Sequence, residues 1–274
     1  MDTLGSVVQR SYILCYKENV DQVFDTLRAE GLNPSVSRAT YTEAEQQYAK
    51  NTRTFMNHAS VWKLAAEQPG YTLICESDFV PCKSLAAKPT FWPLTNPMAW
   101  GYLYQGSPRL LALVSDEQFL RGHCAPLVAY VINRDVAKIL LRYFEFEMNE
   151  YDPKSYFTFD AHLQWWLMGQ GAEAYIPLKH FGEHGGLPNA EHKTFGRLSR
   201  AGRHRADNLA GPLAFLPQYA EGSRRRFALE RLEARALGWA RLFWGRWVQV
   251  TNAYDLTKAD KLRMYAVGLQ RLLP

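Results

Sequence analysis

A short apolar run, Leu73-Ile74-Cys75, gives way at once to Glu76-Ser77-Asp78 and then to Phe79-Val80-Pro81. An apolar run of this kind reads as a buried strand, and acids at its carboxyl end sit where open α/β sheets bind ligands. In extended chain, residues two apart point to one side, so Glu76 and Asp78 share a face. Two carboxylates so placed can hold a hard divalent cation between themselves and a diphosphate. A bare Glu-x-Asp also occurs as two solvated acids at a strand end, so its surroundings must decide. A second cluster lies in Lys179 to Asn189, where His180 and His184 flank Gly182-Glu183 and Gly185-Gly186 follow. This stretch reads as a loop after a strand. Its glycines let backbone approach a phosphate or let the loop close over a ligand, and they argue against the helix that a zinc-binding HxxxH pair needs.

The elements that would position these residues alternate. Ser11 to Tyr16 reads as a strand, Asp21 to Glu30 as a helix closed by Gly31, and Pro34 to Arg38 as a second strand. Thr42 to Lys50 is polar and helix-prone. Asn57 to Gln68 has helical spacing through Val61, Leu64 and Ala65, and Pro69-Gly70 ends it. Beyond the acidic strand, Gly101 to Tyr104, Leu110 to Val114 and Ala174 to Leu178 are strand candidates, and Ala125 to Ile132 is an apolar run. Asp135 to Phe144 and Phe157 to Met168 read as helices. The pattern predicts an α/β fold, a sheet flanked by helices. Trp92, Trp100, Tyr102 and Tyr104 could stack on sugar rings, with core packing the default reading.

Length and composition fit one large domain with an appendage. The chain has 274 residues, of which 47% are hydrophobic and 22% charged. A core of that size needs no covalent staple. Cys15, Cys75, Cys82 and Cys124 show no zinc or CxxC spacing, which points to reduced thiols and a cytoplasmic setting. Met1 to Arg10 shows no signal-peptide pattern, and no run is long enough to span a membrane. The net charge of +5 is unevenly spread: Lys193 to Arg246 carries twelve Lys and Arg against four acids. Residues 1–190 thus form the expected α/β domain, and residues 191–274 a basic, mainly helical extension. Leu198 to Arg226 has little apolar periodicity and reads as partly mobile. The extension can pack as terminal helices with a solvated arginine face. It can also dock through residues 193–249 on an anionic membrane surface, with Trp239, Trp244 and Trp247 at the interface. Nucleic-acid binding is the least favoured reading, because the first two-thirds of the chain are acidic and aromatic-lined.

Three blocks in order resemble glycosyltransferase family 25, the bacterial lipopolysaccharide glycosyltransferase and collagen galactosyltransferase group. They are Asn57-His58-Ala59-Ser60-Val61-Trp62-Lys63, Leu73 to Asp78, and Ala129-Tyr130-Val131-Ile132-Asn133-Arg134-Asp135-Val136-Ala137-Lys138-Ile139-Leu140. The family carries a Ser-His pair opening a helix, an apolar strand ending in Glu-Asp-Asp, and an Ala-Tyr strand leading to Ala-Lys and a Leu pair. The resemblance covers residues 10 to 185. The family's middle acid is Ser77 here, and Lys17-Glu18-Asn19 replaces the Asp-Arg pair expected after the first strand.

This resemblance implies a GT-A-like nucleotide-sugar-binding fold and inverting, metal-assisted transfer from a UDP-hexose, commonly UDP-galactose. The acceptor it implies is a lipopolysaccharide or capsule-type glycan, free or lipid-linked, reached by a cytoplasmic enzyme peripheral to the inner membrane face. Asp78 is then the expected direct ligand of Mn or Mg, with Glu76 in support and His184 completing the shell. His58, Lys63, Glu76 and His180 are candidate donor contacts. Asp160 falls where the family places an acid, and inverting transfer needs a carboxylate to take the acceptor proton. A different donor, such as a CMP-linked ulosonic acid, and a non-enzymatic polyanion- or membrane-binding protein are the alternatives.

Overall fold

The computed structural model describes residues 2–106, 108–114, 119–187, 205–247 and 257–273. Its centre is a mixed sheet of eight strands. The first is β1 (Val8–Cys15), preceded by a short helix, α1 (Leu4–Val7), and followed by α2 (Asp21–Ala29) and β2 (Pro34–Arg38). Helix α3 (Lys50–Glu67) then leads to β3 (Tyr71–Glu76). Strand β1 lies parallel to β2 on one side and to β3 on the other. The remaining strands are β5 (Ala99–Tyr102), β6 (Arg109–Val114), β7 (Phe119–His123), β8 (Ala129–Asn133) and β9 (Glu173–Ile176), giving the order β2-β1-β3-β8-β5-β9-β7-β6. Strand β8 runs antiparallel to both β3 and β5, β9 runs parallel to β5, and β7 and β6 complete an antiparallel edge. The predicted α/β class is therefore what the chain adopts, a mixed sheet flanked by helices.

Local sequence explains the central elements. Strand β3 is buried along Thr72 to Cys75, and β8 along Ala129 to Ile132, so both read as near-continuous apolar runs. Helix α4 (Arg134–Glu150) starts where Asn133 accepts hydrogen bonds from the backbone N–H groups of Asp135 and Val136. The polar stretch before α3 forms only a 3-10 turn at Glu45–Gln47. On one face of the sheet, Phe55 and Trp62 of α3 meet Tyr143 of α4 and Phe159 of α5 (Phe159–Gly169). Trp92, Trp100, Tyr102 and Tyr104 are all buried, as core packing requires. All four cysteines are buried and unpaired.

A two-stranded ribbon stands beside the main sheet: β4 (Phe79–Pro81) pairs antiparallel with β10 (Gly182–His184). The loop expected at Lys179 to Asn189 therefore contains a strand. The partner that makes it one lies a hundred residues earlier, so no local pattern marks it.

The described part of the basic extension packs on this body. Helices α6 (Arg224–Phe243) and α7 (Lys258–Leu272) insert Leu242, Met264 and Leu272 into the core cluster, along with Trp247. Residues 205–208, within the stretch expected to be partly mobile, are buried. Lys193 to Arg203, with its share of the basic residues, lies outside the described residues, as does the boundary expected at residue 190.

Candidate metal and donor site

Glu76 ends β3 and Phe79 begins β4, so Glu76-Ser77-Asp78 occupies a tight turn rather than extended chain. The turn, not strand alternation, brings the two carboxylates together. Strand β10 lies alongside, with His184 opposite Phe79. One ligand atom each from Glu76, Asp78 and His184 falls within 4.8 Å of the others. His184 Nε2 stands 3.1 Å from Asp78 Oδ2. Asp78 Oδ1 is buried and has no hydrogen-bond partner.

Two carboxylates and an imidazole form a donor set suited to Mn²⁺ or a similar divalent ion. The buried, unpartnered Asp78 oxygen is what such an ion would satisfy. Partial burial works against the charge of Asp78, but the attraction and hydrogen bond of His184 outweigh it and hold the carboxyl below its usual range. Burial also disfavours protonated His184; Asp78, and less directly Glu76, reverse this and raise its pKa. Asp78 also feels the charge of Lys50, at the start of α3, a residue the sequence pattern did not single out.

Glycines permit this crowding. A Cβ on Gly186 would stand 2.2 Å from Asp78 Oδ2, and one on Gly182 would stand 2.2 Å from the Phe79 ring. The Gly185 N–H donates to the Asp78 carbonyl at 2.7 Å, closing the ribbon over the turn.

Behind Glu76 runs a buried chain of hydrogen bonds. Trp62 Nε1 donates to the Tyr130 hydroxyl at 2.7 Å, which meets His58 Nδ1 at 2.8 Å; His58 Nε2 stands 3.3 Å from Glu76 Oε1. An indole N–H can only donate, so the Tyr130 oxygen accepts from it. Where the tyrosine proton goes to a bare His58 Nδ1, the ring proton sits on Nε2 and faces Glu76. His58, expected as a donor contact, is fully buried and faces the Glu76 carboxylate instead. Replacing Tyr130 by Phe orphans the Trp62 N–H and frees the His58 ring. Denaturant unfolding is expected to show a loss of about 1–3 kcal/mol, the cost of a buried unpaired polar group.

The remaining candidates lie on other elements. Lys63 lies exposed on α3, about 140° around the helix from His58 by helical geometry. Asp160 lies in the first turn of α5, one residue past Phe159, whose ring is 6.1 Å from that of His58. Its charge acts on Tyr102 and Tyr143.

His180 is buried and used internally. Its Nδ1 accepts from the Gln105 N–H at 2.9 Å, and Nε2 meets Asp207 Oδ1 at 2.9 Å. Arg271 of α7 reaches the same carboxylate oxygen. Burial, then the Arg271 charge, lowers the His180 pKa to about 4, against the pull of Asp207. An unfolded histidine titrates near 6.5, so between pH 6.5 and 4 the unfolded chain binds the extra proton and acid favours unfolding. Stability is expected to fall by about 2–3 kcal/mol from this group between pH 7.5 and 4.5. His180→Gln should flatten that slope in urea titrations at the two pH values.

A cleft of about 330 Å³ opens at the turn, lined by Ser77 and Asp78, by Asn19, Asp21 and Gln22 at the start of α2, and by Phe215 and Leu216. Its size suits a small organic ligand. It lies beyond the carboxyl ends of the parallel strands β1 and β3, where α/β sheets bind ligands.

No protein-family model and no curated protein sequence matches the chain. Among solved structures, it is similar to a glycosyltransferase involved in the glycosylation of the major capsid of PBCV-1. The TM-score is 0.42 and the identity 12%, over 61% of this chain and 81% of that one.

Proposed function

We propose that this protein is a GT-A-like, metal-assisted glycosyltransferase that moves a hexose from a nucleotide diphosphate to a glycan hydroxyl. One observation carries the reading. Glu76, Asp78 and His184, from turn and ribbon elements far apart in sequence, converge on one another; Asp78 borders the cleft, and one of its oxygens is buried without a partner. The order of the three sequence blocks around Asn57, Leu73 and Ala129 supports the same class and favours UDP-galactose or a related UDP-hexose as donor.

In this reading Asp78 and His184 hold Mn or Mg, with Glu76 fixed behind them by His58. A bound cation supplies positive charge to the departing diphosphate. Lys50 adds charge on the same side, and the start of α2 borders the donor cleft. The acceptor oxygen attacks the anomeric carbon, the bond from that carbon to the diphosphate oxygen breaks, and Asp160 takes the acceptor proton. The acceptor is a lipopolysaccharide or capsule-type glycan, and the enzyme works on the cytoplasmic side of a membrane.

The test is thermal protection by UDP-hexoses and CMP-linked sugars with and without Mn²⁺, together with donor turnover in Asp78→Ala. A Mn²⁺-dependent UDP-sugar shift is expected, with turnover down at least about 100-fold, the range for removing a group that stabilises transition-state charge. Near-normal turnover in the variant would sink the site assignment.

A further inference from the structure

The two C-terminal helices carry a feature that the donor site does not use. Helix α6 presents Leu229, Leu232, Ala236, Trp239 and Phe243, and α7 with the residue after it presents Ala259, Leu262, Ala266, Leu269 and Leu273. Both sets repeat at intervals of three and four, so each forms one apolar stripe along its helix. At about 100° per residue, each stripe centres roughly 140° around its helix from the face that the helix buries. Those buried faces are Ala234, Gly238 and Leu242 in α6, and Met264, Gly268 and Leu272 in α7. The helices cross antiparallel on that inner side. A Cβ on Gly238 would strike Leu272, and one on Gly268 would strike Leu242.

Apart from Trp239, which is half-buried against the core, the stripes face solvent. Leu232 is 67% exposed, Phe243 78% and Leu262 71%. Seven of the fourteen exposed large hydrophobic residues among the described ones belong to this pair and the residues directly after each helix. Scattered exposed leucines are ordinary, but a concentration of this kind marks a contact surface.

The charge around the stripes selects the partner. Arg224, Arg225, Lys258 and Arg263 are exposed on the same two helices, as is Arg246 just beyond α6. Of the three acids on the two helices, Glu230 pairs with Arg205 and Asp260 closes the cap of α7 with Thr257, which leaves Glu233 exposed among the cations. A second copy of this surface would bring cations against cations. An apolar stripe flanked by Arg and Lys, with Phe243 and Trp244 exposed at one end, suits the headgroup region of an anionic bilayer.

We propose that α6 and α7 together form a docking surface for anionic lipid, with the apolar stripes entering the interface and the flanking arginines and lysines meeting the headgroups. It extends the membrane contact expected at residues 193–249 to α7. It does not depend on the sugar-transfer reading, and vesicle binding and Asp78-dependent turnover hold or fail separately.

The test is co-sedimentation of the full chain with phosphatidylglycerol–phosphatidylcholine vesicles and with phosphatidylcholine vesicles. Binding to the anionic vesicles is expected to be at least tenfold tighter, to weaken with salt, and to shift tryptophan emission to the blue. Leu232→Glu/Leu262→Glu should lose at least tenfold in affinity with an unchanged unfolding midpoint. Arg225→Glu/Lys258→Glu should weaken binding and flatten its salt dependence. Leu64→Glu, an exposed leucine on α3, should bind as the parent does. Equal binding by the stripe variant, or no preference for anionic vesicles, overturns the proposal. So does a dimer seen by light scattering that the stripe variant converts to monomer without any vesicle binding by the parent.

Discussion

Gly186→Ala is expected to remove divalent-cation binding while leaving the protein folded. The new Cβ would sit 2.2 Å from Asp78 Oδ2 and 3.4 Å from His184 Nε2. No side chain tolerates the first distance, so either Asp78 rotates or the end of β10 shifts. Both movements separate the ligand atoms that now lie within 4.8 Å of one another. Cation sites lose about 10- to 100-fold in affinity when only the groups behind the ligands are disturbed. Here a ligand itself is displaced, so a loss of about 100-fold or more in Mn²⁺ affinity is expected by calorimetry. The cost in stability is that of overpacking, about 1–3 kcal/mol.

The parent protein should bind the ion more weakly as pH falls. His184 must shed its proton to act as a ligand, and Asp78 raises its pKa, so acid competes with metal as pH drops through that raised value. An alanine variant that binds Mn²⁺ normally, with the same pH profile, would show that no ion sits between Asp78 and His184.

Much of the frame was legible because it depends on short-range pattern. The apolar run Leu73 to Cys75 stops abruptly at an acid, and Asp135 to Phe144 carries helical spacing. Both features predict elements within a few residues of where they occur. His184 was named as a ligand from the family resemblance, and its placement comes from pairing with β4, which no local signal encodes. Strand β10 is invisible to local pattern for the same reason. It is three residues long, begins with a glycine, and is a strand only because Phe79 to Pro81 lies beside it. The turn at Ser77-Asp78 reads from the sequence as extended chain, since hydrophobic periodicity cannot see where a buried strand folds back. Nothing in the local sequence marks Glu183 as buried. Its partners, Arg231 and Ala206, lie 48 and 23 residues away, and an isolated acid between histidines gives no hint of burial.

That buried acid should be the most costly residue to leave unpaired. Glu183 is fully buried beside His184, and its Oε2 lies 2.6 Å from Arg231 Nη1 on α6. Its other oxygen accepts from the N–H groups of Ala206 at 2.8 Å and His184 at 3.0 Å. Burial raises the Glu183 pKa even with Arg231 present. Arg231→Ala leaves the carboxylate without its nearest counter-charge, and breaking such a pair from one side costs about 3–5 kcal/mol. Removing both partners is gentler: Glu183→Gln/Arg231→Met should recover much of the loss, because no buried charge remains and the amide keeps an acceptor for the same N–H groups.

The pH dependence has a definite sign. In Arg231→Ala the folded-state pKa of Glu183 rises further above its unfolded value. That group's contribution is therefore best below the unfolded pKa and is lost as pH rises. The deficit of the variant relative to the parent should narrow as pH is lowered toward 4.5, near the unfolded glutamate value. Urea unfolding at pH 7.5 and 4.5 measures both parts. A deficit that stays constant with pH would mean that Glu183 does not carry the charge. One below about 1 kcal/mol at pH 7.5, the worth of an exposed pair, would mean that water already reaches it.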